Sequence, residues 1–329
     1  MWCSSEGDRA ITIHSSQNLT SFGQRHLVWQ SPDSGPYSRQ VWAPELHLLD
    51  GKWHIYFAAS DGKNENHRAY VLQSTTGDPL GDYQLHGPFQ TGETANQNLW
   101  AIDMTPFKLK DKLYAIWSGW DGPDTDHQYL YIAEMESPIK LTTKRVRICD
   151  NSDYNWELTE PKPRGRGLNE GPQVIKNGKR TFVTYSCGAS WLPNYKLGLL
   201  EFIGNDPLDP LAWKKNKGSV FQSTKKTFGV GHSCFVRSSN GSEWWHIFHA
   251  KESRAPGWQR NLHIQPFKWS RDGRPLFGKP LPRNEPFPRP GGERTNILRL
   301  PYLSDLTFDH SYYGHAQYYE STANGLKLG

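Results

Sequence analysis

Residues 168–190 read LNEGPQVIKNGKRTFVTYSCGAS, a glutamate set at the head of a β-hairpin. Asn177-Gly178 separates two apolar runs, and an Asn-Gly pair suits a hairpin turn that needs positive φ. The same order recurs in PELHLLDGKWHIYFAAS from Pro44, IDMTPFKLKDKLYAIWSGW from Ile102 and GHSCFVRSSNGSEWWHIFHAK from Gly231, with Asp50-Gly51 and Asn240-Gly241 as further turn pairs. A third strand candidate follows each hairpin (RAYVLQS, QYLYIAEM, KLGLLEF and NLHIQPF), and then a turn-rich stretch with room for a fourth. The head residues Glu45, Asp103, Glu170 and His232 recur at intervals of 58, 67 and 62 residues. A period near 60 with about four strands per unit predicts an all-β chain folded as a five-bladed β-propeller over residues 1–280. The rival, a two-sheet sandwich, gives no reason for similar residues at equal phase in every unit. No long amphipathic helix supports a βαβ fold.

The N-terminal MWCSSEGDRAITIHSS aligns on YFAASDG…HRAYVLQS, pairing Met1 with Tyr56. Met1 then enters midway through a second strand, so the innermost strand of blade one is expected to be missing from this sequence. That loss leaves a sheet edge and apolar neighbours uncovered, which lowers stability. Glu6 and Asp8 fall on the turn after the second strand and are assigned to the blade's other end or periphery. Residues 281–329, Pro-rich and then aromatic, form a C-terminal extension that closes the ring, packs against it or trails free.

The 38 basic and 33 acidic residues are spread along the chain, and a net charge of +5 without a basic arm argues against nucleic-acid binding. The densest basic cluster, KPRGRG from Lys162, is broken by Pro and Gly and reads as a solvated loop. Cys3, Cys149, Cys187 and Cys234 lack the CxxC spacing of a zinc or redox site. No apolar run is long enough to cross a membrane, and MWCSSEGDRA lacks the order of a signal peptide. The 14 Trp, 15 Tyr and 14 Phe suit either β packing or flat surfaces on which ligands stack.

In a propeller the first strand of each blade lies nearest the axis, so its leading residues converge on one mouth of the channel. Carboxylates gathered there raise one another's pKa, and burial adds to the shift, so one stays protonated while another ionises. Glycoside hydrolysis requires that division of labour. The bland reading of each carboxylate is a turn cap or an ion-pair partner. Against it, Glu170 stands beside Gly171-Pro172, Asp103 follows the apolar NLWAI and Glu45 follows VWAP.

Together, VWAPELHLLDGKWHIYFAA, WAIDMTPFKLKDKLYAIWSGW, LNEGPQVIKNGKRTFVTYS and GVGHSCF…EWWHIFHA resemble glycoside hydrolase family 43, from about Glu6 to about Pro280. The resemblance implies an inverting hydrolase of α-L-arabinofuranosyl linkages in plant cell-wall polysaccharide, with β-xylosidase action or a non-catalytic carbohydrate-binding propeller as alternatives. Asp103 resembles the aspartate that tunes and orients the acid, and Glu170 the general acid. The family's general-base aspartate has no counterpart here, its motif belonging to the segment placed upstream of Met1, so turnover is expected to be impaired. Trp42 and Trp100 stand as candidate stacking surfaces for a pentose, with core packing as the alternative. Glu45 is a further candidate for substrate binding. His232 resembles a channel histidine that holds a water or a calcium ion, and Arg260 in GWQRNLHIQPF an arginine that contacts sugar hydroxyls, although His263 departs from the more basic pattern expected nearby. Asp121, Asp124 and Asp126 lack EF-hand spacing and read as turn residues. No cofactor is required. The full-length form is expected to be secreted and monomeric, acting on arabinose- or xylose-containing saccharides without a membrane or nucleic-acid partner.

Overall fold

The computed structural model of the chain describes residues 1–94, 96–122, 125, 127–159, 167–283 and 285–293, and the backbone of three short strands beyond. Residues 162–166 of the basic cluster, Asp124, Asp126 and most of the C-terminal extension lie outside the described residues. Five antiparallel sheets form a five-bladed β-propeller. Blade one holds β1 (Trp2–Glu6), β2 (Ala10–Ser15) and β3 (Gln24–Gln30). Blade two holds β4 (Arg39–Leu49), β5 (Lys52–Ser60), β6 (Arg68–Ser74) and β7 (Tyr83–His86). Blade three is β8 (Ala101–Leu109), β9 (Lys112–Trp120), β10 (Gln128–Ser137), β11 (Lys140–Leu141) and β12 (Val146–Cys149). Blade four is β13 (Asn169–Asn177), β14 (Arg180–Cys187), β15 (Lys196–Phe202) and β16 (Trp213–Lys215). Blade five is β17 (Phe228–Arg237), β18 (Trp244–Lys251), β19 (Arg260–Trp269) and β20 (Pro275–Leu276), with β21 (Thr307–Phe308) also pairing with β19. A separate hairpin, β22 (Tyr319–Thr322) with β23 (Gly325–Leu328), follows.

Blade one has three strands among the described residues where the other blades have at least four, and these match the second, third and fourth strands of the repeat. The hairpin turns explain why each unit folds locally. Asp50 and Gly51 both take positive φ, 49° and 77°, as a two-residue turn matched to strand twist requires. Asn177 instead pairs with Arg180, which puts Gly178 and Lys179 in the loop. Asn240-Gly241 sits in a longer connection, because the ladder already ends at Arg237 and Trp244.

Apolar side chains pack between neighbouring blades. Tyr56, Val71, Met104, Trp117 and Tyr131 join blades two and three, and Ile116, Ile132, Val183 and Leu200 join three and four. Phe182, Leu199 and Phe248 join four and five, while Ile11, Ile13, Ile55 and Phe57 join one and two. Between five and one the buried set is Trp245 and Ile264, padded by half-buried Leu19, Phe22 and Phe287. Residues 285–293 reach that gap: Gly291 donates to Glu243 Oε2 at 2.8 Å, and Glu293 Oε1 accepts from the Leu19 amide at 2.6 Å.

Candidate active site

The inner strands do not run smoothly to the mouth. Their ladders slip between Trp42 and Glu45, Ile102 and Thr105, Glu170 and Gln173, and Gly231 and Cys234. Each slip contains one left-handed residue: Ala43 (φ 44°), Asp103 (55°), Gly171 (55°) and His232 (51°). For the three that are not glycine this backbone costs roughly 1–3 kcal/mol each, a strain that folds concentrate at functional sites. The glycine at 171 is needed twice over, for its φ and because a Cβ there would stand 3.3 Å from the His232 ring.

The bulges revise the phase of the head residues. Asp103 and His232 occupy the bulge, Glu170 directly precedes it and Glu45 follows it by two residues. Glu45 therefore lies one layer down the channel, where Gln173 Nε2 donates to it at 2.6 Å and His47 lies 3.0 Å away.

One cavity of about 1510 Å³ is lined by Asp8, Glu45, Asp103 and Glu170, together with Trp42, Trp100, His232 and Arg260. Every candidate site residue thus faces the same space. Asp103 Oδ2 accepts from the Gly171 amide at 2.9 Å, which ties it to the residue following Glu170. Glu170 Oε1 accepts from the Tyr195 hydroxyl at 2.8 Å and Oε2 from Gln128 at 3.3 Å. Burial raises Asp103 to about 7, with Glu45 adding repulsion against the relief given by the Gly171 amide. Burial likewise raises Glu170, and the Asp103 charge raises it further, while His232, Tyr195 and Gln128 pull the other way. Two carboxyl groups so placed hold protons at pH values where free carboxyls have lost theirs. Burial holds His232 below its ordinary value, so it is a neutral imidazole, 3.9 Å from Asp103 Oδ1.

An aromatic wall stands on the side of blades two and three. Trp42 stacks on His67 at 3.8 Å, and Trp100 on Trp120 at 4.7 Å with a 9° tilt. Trp100 is buried and its indole donates to Asn64 O at 2.7 Å, so it braces the wall, whereas half-buried Trp42 presents the more open surface. Across the cavity, Arg260 Nη1 lies 3.2 Å from His249 Nε2, and the His249 ring stacks on Tyr195 at 5.3 Å. Among the described residues no group of three or more His, Cys, Asp or Glu side chains is arranged to hold a metal.

The sequence profile described as glycosyl hydrolases family 43 matches residues 1–275. The chain belongs to this family. An alpha-L-arabinofuranosidase 43 of Humicola insolens is 32% identical over 285 residues, covering 83% of this chain and 56% of that protein. An extracellular exo-alpha-(1->5)-L-arabinofuranosidase of Streptomyces avermitilis is 30% identical over 77% of this chain and 53% of that one. The chain thus spans about half the length of these two relatives. The crystal structure of an alpha-L-arabinofuranosidase from Lactobacillus brevis superposes with a TM-score of 0.76 at 34% identity, covering 85% of this chain and 89% of that one.

Several residues of this family-43 site escaped the sequence reading. Asp8 lines the cavity, contrary to its assignment to the blade's other end. The reason is geometric: the second strand of a blade runs back toward the mouth, so the turn that follows it returns there. Asp8 accepts from the Gln40 amide at 2.9 Å and from Trp42, and burial raises its pKa. Glu6 instead pairs with Arg25. Gln128 reads as an ordinary strand residue and Tyr195 as the end of a turn before one, and nothing in their local sequence marks them as partners of Glu170. His263 is buried on Phe248, away from the cavity lining, which accounts for its departure from a basic pattern. Asp121 is exposed, lies 3.6 Å from Arg147 and does not line the cavity.

Proposed function

We propose that this chain carries the site of an inverting α-L-arabinofuranosyl hydrolase acting outside the cell, as a monomer and without a required cofactor, on arabinose-containing polysaccharide. The observation that carries the reading is the Asp103–Gly171 hydrogen bond, which sets the Asp103 carboxylate against the backbone of Glu170 inside one cavity. In this reading Glu170 delivers a proton to the departing glycosidic oxygen, and Asp103, hydrogen-bonded to the amide of the next residue, orients that acid and tunes its pKa. Trp42 supports the apolar face of the furanose, and Arg260 and Glu45 meet its hydroxyls. Relatives named as arabinofuranosidases, 30–34% identical, support arabinose over xylose.

Inversion also needs a carboxylate that takes a proton from water on the opposite face of the ring, about 6.5–9.5 Å from the acid. The inner-strand position of blade one, from which such a group would act, holds no strand among the described residues. With no carboxylate assigned to that role among the described residues, the site is expected to bind arabinofuranosides and to turn them over slowly. The test is hydrolysis of p-nitrophenyl α-L-arabinofuranoside and of its β-D-xyloside counterpart, with and without added azide. Azide attacks the anomeric carbon without needing a base, so azide-stimulated cleavage of the arabinoside to the inverted glycosyl azide supports the reading. Faster cleavage of the xyloside, or a product of retained configuration, contradicts it.

A further inference from the structure

A second aromatic pair lies on the opposite rim of the cavity from Trp42. Trp191 and Trp258 are half-buried, face the cavity and stand 5.3 Å apart at 49°. Trp191 follows Ser186, the ladder partner of Glu170, by five residues, on the loop between β14 and β15. Trp258 is on the corresponding loop of blade five and lies under the Arg260 guanidinium at 5.3 Å. From the acid outward, contacts run through Tyr195, His249 and Arg260 to this pair.

The two loops are fastened to each other. The Gly257 amide donates to Trp191 O at 2.9 Å, and the buried Lys251 ammonium reaches both Trp191 O and Gly257 O. A rigid aromatic surface loses little entropy when a ligand settles on it. A general acid must touch the leaving oxygen, so the sugar that departs lies on the acid's side of the cavity. Blades four and five are that side, and Trp42 with its neighbours is the other.

We propose that Trp191 and Trp258, with Arg260 between them and the acid, form a second sugar platform that holds the leaving-group pentose of a saccharide at least two residues long. The proposal rests on the reading of Glu170 as the acid. It makes the cavity a site for a chain of pentoses, with Trp42 under one ring and Trp258 under the next.

The experiment is calorimetric titration in the Glu170→Gln background, which keeps ligands intact, using methyl α-L-arabinofuranoside and α-1,5-arabinobiose. Trp258→Ala is expected to weaken the disaccharide on the order of tenfold, equivalent to about 1.4 kcal/mol, and to leave the methyl glycoside unchanged. Trp191→Ala acts in the same direction and serves if the first variant fails to fold. Trp258→Phe restores most of the affinity, while Trp42→Ala weakens both ligands. Equal losses for the two ligands, or none for either, overturn the platform and leave the function reading standing. Failure of both ligands to bind the Glu170→Gln parent overturns the function reading itself, and the platform falls with it.

Discussion

Two interfaces of the ring differ sharply. Between blades two and three, thirteen buried side chains interlock, from Tyr56 to Met135, with Trp117 fully enclosed. Between blades five and one the buried set shrinks to Trp245 and Ile264, and the remainder is filled by half-buried residues and by a strap that is not part of any blade. The first interface is a core; the second is a closure. The difference follows from strand content, since β1 has no inner neighbour among the described residues and its side chains line the cavity. The catalytic candidates Asp103 and Glu170 stand on blades three and four, in the well-packed part of the ring, so their geometry does not depend on the weaker joint.

Substitutions in the two interfaces measure that contrast. Trp117→Ala removes a fully buried indole and is expected to cost about 3–5 kcal/mol, whereas Phe287→Ala in the closure costs about 1 kcal/mol. Equal losses in urea unfolding would erase the distinction. Asp103→Asn tests the opposite expectation, a gain. The folded state keeps a proton on Asp103 up to about pH 7, whereas the unfolded chain releases it near 3.8. Wild-type stability therefore falls as pH rises from about 4 to 7, by an amount on the order of a few kcal/mol. The variant should melt higher than wild type at pH 8, with the gap closing below pH 4. A gap that is constant with pH contradicts the buried-acid account.

A smaller effect belongs to Glu293. Its replacement by Gln keeps the Leu19 contact but removes the charge, and is expected to lower stability by about 1 kcal/mol, with most of the effect in hydrogen exchange of residues 19–20. Exchange accelerated equally around the ring would remove the strap from the closure. The last test needs no substitution. Cys3 and Cys234 line the cavity beside blade one, whereas Cys149 and Cys187 are buried between blades three and four. A thiol reagent should modify Cys234 first, because it is exposed while Cys149 and Cys187 are buried. Reaction of Cys149 or Cys187 at the same rate contradicts the packing described.

The repeat was legible because each blade is built from local hairpins whose turn pairs, such as Asp50-Gly51, carry their own conformational demand. Asp103 and Glu170 were legible for the same reason, each standing at the start of a recurring unit. The phase of Glu45 was not, since the bulge is occupied by alanine, aspartate, glycine and histidine in turn and so leaves no common mark in the sequence. Asp8 was misplaced because a turn's position around a blade depends on strand direction and not on its composition. Gln128 reaches Glu170 from a strand of the neighbouring blade and Tyr195 from the loop before β15, and that convergence exists only once the sheets are stacked.

The central claim is that Asp103 and Glu170 form one coupled pair that keeps a proton in the cavity. Titration of the Glu170 carboxyl by carbon-13 NMR, in wild type and in Asp103→Asn, reads this directly. The expected result is a Glu170 pKa above the ordinary glutamate value in wild type and a fall once the titratable Asp103 carboxyl is removed. A Glu170 that titrates like a solvent-exposed glutamate and ignores the substitution contradicts the claim.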